Sequence, residues 1–293
     1  MQTKLVTVGG FIIIVAGIFP FVYDNYFTYR IPADWSWQAK YLGDSAFPDE
    51  TGNFASTREI AVNKRVQKVL SWSSDKAVIA DDFTVTDVNS GAIVYQSKVH
   101  WQVDPKTGQH LRNHDTGKGE GLPFLFPQLT EKKDYRIFNY FLEPITVKFD
   151  RVEEVNGLTT YVYIFDDELD ATDSYKGTND YPGVIPEPGQ TIVFSNILLE
   201  YWVEPRTGEI IKSVEESAGD YVIDIKTRER LIPLSAWRAI MADESVYRQI
   251  QLLNNHLIMR SYFTVWLPLA TVIIGLIFIV IGLTRNKQTR TAT

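Results

Sequence analysis

Two uninterrupted apolar stretches, Leu5–Tyr23 and Val265–Leu283, bracket this chain, and each runs 19 residues without a charged side chain. At about 1.5 Å of rise per residue a helix of that length covers roughly 28 Å, close to the roughly 30 Å hydrocarbon core of a bilayer. Both are therefore expected to cross a membrane. Tyr262, Phe263 and Trp266 frame the second stretch, as aromatics do at a membrane–water boundary, and Pro268 falls in its first turn, where a missing N–H does least harm. The first stretch has a rival reading as a cleaved signal peptide, because Met1–Lys4 resembles a short n-region and Phe11–Ile18 an h-region. The following Phe19-Pro20-Phe21-Val22-Tyr23 has no small-x-small cleavage site, which favours an uncleaved signal anchor.

Flanking charge sets the expected orientation. Lys4 and the α-amine precede the first span, and Arg285, Lys287 and Arg290 follow the second. The positive-inside rule puts residues 1–4 and 284–293 in the cytoplasm, with spans at 5–23 and 265–283. Residues 24–264 then form an extracytoplasmic domain of a two-pass cell-membrane protein whose first partner is the lipid bilayer. Setting aside the four tail cations, 25 Lys and Arg face 36 Asp and Glu outside, a formal charge of about −11. That argues against nucleic acid as a partner and against a polybasic headgroup clamp. The chain has no cysteine, so the exterior must be held by its core alone, and thiol chemistry and Cys-ligated metal sites are excluded. No N-x-Ser/Thr sequon occurs.

Between the spans the dominant period is two. Thr57–Val69, Ala77–Val85, Ala92–Val103, Thr146–Val152, Thr159–Asp166, Gln190–Val203, Glu209–Val214 and Tyr221–Ile225 alternate apolar and polar residues or are rich in β-branched and aromatic ones. Turn signals separate them at Asn89-Ser90-Gly91, Pro105-Lys106-Thr107-Gly108 and Asn156-Gly157. The Asn-Gly pair predicts a direct hairpin between Val147–Val155 and Leu158–Phe165. A mainly β exterior domain of antiparallel sheets is expected. One amphipathic helix is expected over Ser235–Tyr262, where Trp237, Ile240, Met241, Val246, Tyr247, Ile250, Leu253, Leu257 and Ile258 recur at three- and four-residue spacing after Pro233. It would pack on the sheet and lead into the second span.

The most specific internal feature is a repeat. Val103-Asp104-Pro105-Lys106-Thr107-Gly108-Gln109 returns 100 positions later as Val203-Glu204-Pro205-Arg206-Thr207-Gly208-Glu209. An aromatic, Trp101 or Tyr201, stands two residues before each valine, and a strand ending in an acidic pair, Asp81-Asp82 or Asp166-Asp167, lies upstream. This predicts a duplicated β unit, with the repeats as turns: Pro fixes φ near −65°, Gly supplies positive φ, and the acidic residue and Thr bond the turn backbone.

An N-terminal anchor, the Asp104-x-x-Thr107-Gly108 turn, Gly-Leu-Pro-Phe-Leu-Phe-Pro at 121–127, Val-Asn-Gly-Leu-x-Thr-Tyr at 155–161, the Glu204-Pro205-x-Thr207-Gly208 turn and a closing transmembrane helix together resemble the PorA-like family of domain-of-unknown-function membrane proteins of actinobacteria and archaea. The resemblance covers nearly the whole chain and carries no catalytic residues. Its name implies a porin, yet a transmembrane β-barrel needs an outward apolar face and no terminal apolar helices, so a pore formed by these strands is not expected. The layout of two terminal anchors around a β-rich exterior is also similar to that of class B scavenger receptors, whose exterior domains carry lipid through a tunnel. Trp35, Trp37, Tyr41, Trp72, Phe124, Phe126, Tyr135, Phe138, Tyr140, Phe141, Tyr161, Tyr163 and Phe165 read mainly as core aromatics. In a different reading, Gly121–Pro127 and Arg136–Phe141 line an apolar cavity, or Tyr26, Phe27, Tyr29, Trp35 and Trp37 sit at the membrane interface.

Candidate chemistry is thin. His110 and His114, with Asp115 and Glu120 near, have the spacing of a zinc pair on a helix, but the surrounding glycines favour a solvated loop. The run Asp166, Asp167, Glu168, Asp170 and Asp173 lacks the Gly and terminal Glu of an EF-hand and reads as an exposed acidic loop, with Ca²⁺ as the other reading. Asp180–Gly189 reads as a surface excursion suited to a partner, and His100 and His256 as packed or surface histidines. The expectation is therefore a non-enzymatic cell-surface binding or structural protein with no catalytic, cofactor-binding or metal residues and no cofactor, its ligand a surface protein or a lipid. The alternative is lipid or apolar-ligand transfer through a cavity, which needs a void above a few hundred Å³. A hydrolase would need a His–carboxylate pair in a cleft.

Overall fold

Alternating sequences become strands where both edges find partners, and here they do so in one sheet. The computed structural model describes residues 2–23, 31–54, 59–111, 121–138, 144–170 and 186–290. It divides into two units, Arg30–Ile250 and the pair of terminal segments Met1–Tyr29 and Gln251–Thr293. The first holds β1 (Ser36–Ala46), β2 (Glu59–Trp72), β3 (Ala77–Asp87), β4 (Ile93–Val103), β5 (His110–Leu111), β6 (Tyr135–Phe138), β7 (Pro144–Val155), β8 (Leu158–Asp170), β9 (Gln190–Val203), β10 (Ile210–Asp224) and β11 (Arg230–Met241). They form a single 11-stranded sheet in the order β5-β4-β3-β2-β1-β11-β10-β9-β8-β7-β6, where separate sheets were expected.

The sheet curls until its two ends nearly meet. Gly121 and Leu122 lie in the gap: the His110 N–H donates to the Gly121 carbonyl at 3.0 Å, and the Phe138 N–H to the Leu122 carbonyl at 3.1 Å. Leu122 also bridges Ile137 in parallel, so β5 and β6 are joined through two residues of loop. The rest of that loop turns inward as a strap. Phe124, Leu125 and Phe126 are buried, and Phe126 N–H and Thr130 N–H donate to the carbonyls of Gly208 and Pro205 at 2.8 and 2.6 Å. Phe126 joins a core with Tyr135, Val147, Tyr163, Phe194 and Leu199; Phe124 and Leu125 join a second with Ile31, Ile79, Trp101 and Phe138.

Several sequence expectations hold. β7 and β8 form the hairpin read from Asn156-Gly157, both residues having positive φ, and pair from Val155↔Leu158 onward. Others need correction. The helix expected from Ser235 starts at Asp243: Trp237, Ile240 and Met241 belong to β11, which pairs with β1 at Ser45↔Trp237 and Tyr41↔Met241 and with β10 on its other side. Pairing on both edges overrides the local three- and four-residue spacing. The helix α2 (Asp243–Ser261) opens with Asp243 and Glu244 in its first turn, as its dipole favours, and is tied to β1 where Lys40 N–H donates to Ser245 Oγ (2.8 Å) and Gln249 Nε2 to the Gln38 carbonyl (3.0 Å). The two short runs at 209–225 are one strand, β10, with a register shift at Ser217–Asp220. Neither β1 nor the short β5 and β6 was among the expected runs.

In the other unit, α1 (Gln2–Val22) packs on α3 (Leu267–Arg290), and both apolar segments are long enough to cross a membrane. Their approach depends on missing side chains. A Cβ on Gly9 would lie 2.5 Å from the Gly275 carbonyl oxygen, and one on Gly282 would lie 2.8 Å from Val6. Such small-residue contacts allow backbones close enough for dispersion to hold helices together where no hydrophobic effect operates. Between α2 and α3 the helix widens into a π turn, Tyr262–Trp266, with Leu267 N–H bonding the Tyr262 carbonyl. Pro268 follows, its absent N–H freeing the backbone to shift register just before it.

The repeated motif proves to be a hairpin turn with more copies than the alignment showed. At 104–109 and 204–209 the first residue's N–H bonds the sixth residue's carbonyl, and the glycine N–H bonds the first carbonyl. The first residue's carboxylate accepts from the backbone N–H of Thr107 or Thr207, whose hydroxyl accepts in turn from the sixth N–H. Asp87–Ala92 and Asp224–Glu229 have the same bonds, with Ser90 or Thr227 as the hydroxyl residue and, in the latter, Arg228 at φ 61° in the glycine's place. The acidic pairs, by contrast, lie within β3 and β8, away from the strand ends.

Gly91 and Gly208 occupy the same turn position at φ 69° and 76°, but a Cβ on Gly91 meets nothing within 4 Å, whereas one on Gly208 would fall 2.1 Å from the Phe126 carbonyl oxygen. G91A should cost only the left-handed backbone penalty, about 1–2 kcal/mol. G208A must also expel the strap and should cost at least twice as much in urea melts of the full chain. Equal losses would show that the strap is not seated on this turn.

Candidate functional site: a polar cluster inside the barrel

Side chains facing the inside of a closed sheet are ordinarily apolar, and most here are. At one level of the barrel they are not. β1, β2, β3, β9 and β10 bring Tyr41, Arg65, Gln67, Asp81, Tyr201, Ser213 and Glu215 together on the inner face, seven strand-borne residues separated in sequence by up to about 170 positions. Arg65 grips Asp81 through two nitrogens, Nε to Oδ1 at 2.9 Å and Nη2 to Oδ2 at 2.6 Å, and Asp81 Oδ2 also accepts from Gln67 Nε2 (3.3 Å) and Trp101 Nε1 (3.2 Å). A buried ion pair of this kind holds only with good geometry and its remaining valences satisfied, and breaking one partner commonly costs about 3–5 kcal/mol. Burial opposes the Arg65 charge, and the Asp81 carboxylate more than offsets it, so Arg65 stays cationic.

Glu215 is different. It is 8% exposed, and among the described residues no group donates a hydrogen bond to it. Burial pushes its carboxyl pKa up, and the charge of Asp81 adds to this while Arg65 opposes it. Burial and the Glu215 charge likewise raise the phenols of Tyr41 and Tyr201 above their ordinary range. Ser213 Oγ reaches Tyr41 Oη at 3.3 Å. These groups surround a cavity of about 50 Å³ capped by Leu122–Phe126 of the strap. It has room for a water molecule or a small ion and is far below the several hundred Å³ of an organic-ligand pocket.

The family model of porin PorA matches residues 3–284, nearly the whole length. The chain belongs to the porin PorA family. No curated protein matches it. Among solved structures, this PorA-family chain is similar to DynF from the dynemicin biosynthesis pathway of Micromonospora chersina at 8% identity, covering 72% of this chain and 81% of that one with a TM-score of 0.22. It is similar also to the full-length peroxisomal multifunctional enzyme type 2 from Drosophila melanogaster at 10% identity, covering 78% of this chain and 40% of that one with a TM-score of 0.15. Scores this low carry no argument about fold or activity.

The residues singled out in the sequence mostly take other roles in this PorA-family chain. His110, expected in a solvated loop, is 2% exposed on β5, with its ring 4.6 Å from Phe138 and 5.3 Å from Trp101. Its backbone closes the barrel, which accounts for its burial. His114, Asp115 and Glu120 lie outside the described residues, as do Asp173, Tyr140, Phe141 and the 180–185 part of the Pro-rich excursion. Asp166, Asp167, Glu168 and Asp170 are strand residues of β8; Glu168 pairs with Arg228, Asp170 accepts from Thr191, and no metal-binding group appears among the described residues. Trp35 packs against Phe124 at 5.8 Å and Trp37 lines the cavity, so neither acts as an interfacial anchor; Tyr26, Phe27 and Tyr29 are not among the described residues. Gly121–Pro127 is core and closure. Arg65 and Glu215 went unremarked in the sequence. The only signal was a charge at an inward position of an alternating strand, and without the strand order it cannot be distinguished from an outward one.

A raised folded-state pKa means that the folded protein holds the Glu215 proton more tightly than the unfolded chain does. The stability gained from it is complete below the ordinary carboxyl value of 4.5 and is lost as pH rises through the folded-state value. The groups facing it are Tyr41, Arg65, Asp81 and Tyr201. E215Q should therefore be more stable than the parent at pH 8 by about 1–3 kcal/mol, the usual cost of a buried unpaired polar group, with the two converging toward pH 4. Chemical melts across pH in buffer free of sodium and potassium read this; a parent as stable as E215Q at pH 8 would refute it.

Proposed function

We propose that this PorA-family protein is a membrane-anchored, non-enzymatic module whose sheet domain lies outside the cell as a binding or structural element, with α1 and α3 as its anchors. The outward face of the strands carries the proposal. Lys40, Lys64, Lys98, Lys148 and Arg238 project from it and are exposed, several of them in cross-strand ion pairs such as Lys98–Asp82 and Arg238–Glu216. Each such cation would cost about 2–4 kcal/mol at the midplane of a bilayer, so this barrel is built for water on its outside, and its interior is plugged. The apolar surface that a membrane needs is on the two helices. Function then rests with the loops and outer face, in contact with a surface protein or lipid. The cavity beside Glu215, at about 50 Å³, offers no room for an acyl chain, whereas an open cleft of about 520 Å³ lined by Gly121, Leu122, Pro127, Tyr135 and Arg136 is of the size that an apolar ligand needs.

Because the chain contains no cysteine, single-cysteine variants report topology cleanly. K98C and K148C should react with a membrane-impermeant maleimide on intact cells, and Q288C only after permeabilisation. Labelling of Q288C from outside, or protection of both strand positions, would overturn this arrangement. Native mass spectrometry of the detergent-released protein then separates a protein partner from a lipid ligand.

A further inference from the structure

We propose that the cavity beside Glu215 is a binding site for a monovalent cation of the sodium, potassium or ammonium type. Glu215 is nine-tenths buried, faces the cavity, and has no hydrogen-bond donor in the protein among the described residues. An unpaired carboxylate in that position costs folding free energy unless something outside the chain neutralises it. The other polar oxygens at the cavity wall, the hydroxyls of Tyr41, Tyr201 and Ser213 and the amide oxygen of Gln67, can each present a lone pair to it. Among the described residues no hydrogen bond reaches Tyr201 Oη; Tyr41 Oη accepts from Ser213, and Gln67 uses its Nε2 on Asp81, which leaves its amide oxygen as an acceptor. Arg65 directs Nε and Nη2 at Asp81, and its charge acts on Glu215 through space without a hydrogen bond to it among the described residues.

Charge and size then select the ligand. Arg65 and Asp81 cancel, so an ionised Glu215 leaves one negative charge, which a monovalent ion neutralises and a divalent ion would overcompensate. Carboxylate, phenol and amide oxygens are hard ligands suited to hard cations, and about 50 Å³ holds one such ion with a water. The strap Leu122–Phe126 forms one wall of the site. The cation performs at neutral pH the neutralisation that a proton performs in acid.

The test uses the full chain in detergent at pH 8, with sodium, potassium, ammonium or choline chloride at constant ionic strength. Thermal melts should show a saturable rise of about 2–4 °C with at least one small cation relative to choline, as expected for about 1 kcal/mol in a domain this size. The same titration should change tryptophan fluorescence, since Trp37 lines the cavity. In E215Q the rise should vanish, and in Y201F, which keeps the ring and removes one oxygen, the half-saturating concentration should increase severalfold. Equal melting in all four salts, or a rise undiminished in both variants, would overturn the proposal.

Discussion

A curled sheet of eleven strands encloses more space than its inward side chains can fill, and its two edges would expose unpaired backbone if left apart. One loop answers both demands. Gly121 and Leu122 carry the hydrogen bonds from β5 across to β6, and the next few residues fold into the interior, where Phe124 and Phe126 occupy the cores. The strap is held by backbone bonds to the 204–209 turn, and Gly208 must lack a side chain for it to fit. The repeated turn therefore does two jobs: it joins β9 to β10 and it receives the strap. Its counterpart at 104–109 accepts a bond from Ile31 N–H to the Pro105 carbonyl, fastening the start of the sheet unit in the same manner.

The polar cluster follows from what the strap leaves unfilled. Its side chains reach the cavity from one side, while strands from both halves of the sheet supply Arg65 and Asp81 on one part of the wall and Tyr201, Ser213 and Glu215 on the other. β1 and β11 pair between these halves, so the cluster joins residues from both sides of the β1–β11 ladder. Well-packed apolar residues would stabilise such an interior at least as well as a buried ion pair. What the charges add is geometry: the Arg65 fork on Asp81 fixes β2 against β3, and the Trp101 indole fixes β4 to the same carboxylate. A second carboxylate, Asp220, does the same at the β10 irregularity by accepting from Ser217, Ser235 and Trp237.

Much of the fold was legible because its signals are local. Alternation marks β7 and β9, Asn156-Gly157 names its hairpin, and the apolar stretches announce α1 and α3 by length alone. β11 was misread because Trp237, Ile240 and Met241 happen to satisfy a helical spacing, and only partners far away in sequence decide between the two. The third and fourth copies of the repeated turn were hidden because the turn requires a carboxylate, a hydroxyl three residues on and a left-handed residue after it; Asp87-Val88-Asn89-Ser90-Gly91 and Asp224-Ile225-Lys226-Thr227-Arg228 satisfy that chemistry without the proline. The candidate site was the least legible part. His110 sits four residues from His114 and invited a metal reading, whereas Glu215 stands in a run of ordinary strand residues and becomes unusual only when the opposite wall of the barrel is in place.

The two units divide the solvation problem between them. In the sheet unit the apolar residues turn inward and charges line the outside, the reverse of a membrane-spanning barrel; in the helical unit apolar side chains cover the outside and glycines mediate the packing. Each arrangement would be costly in the other's solvent: the outer lysines in hydrocarbon, and the exposed Phe11, Ile14, Ile274 and Ile277 in water. A family named for porins thus includes a chain whose described sheet takes its own strap inside and carries charges on its outer face.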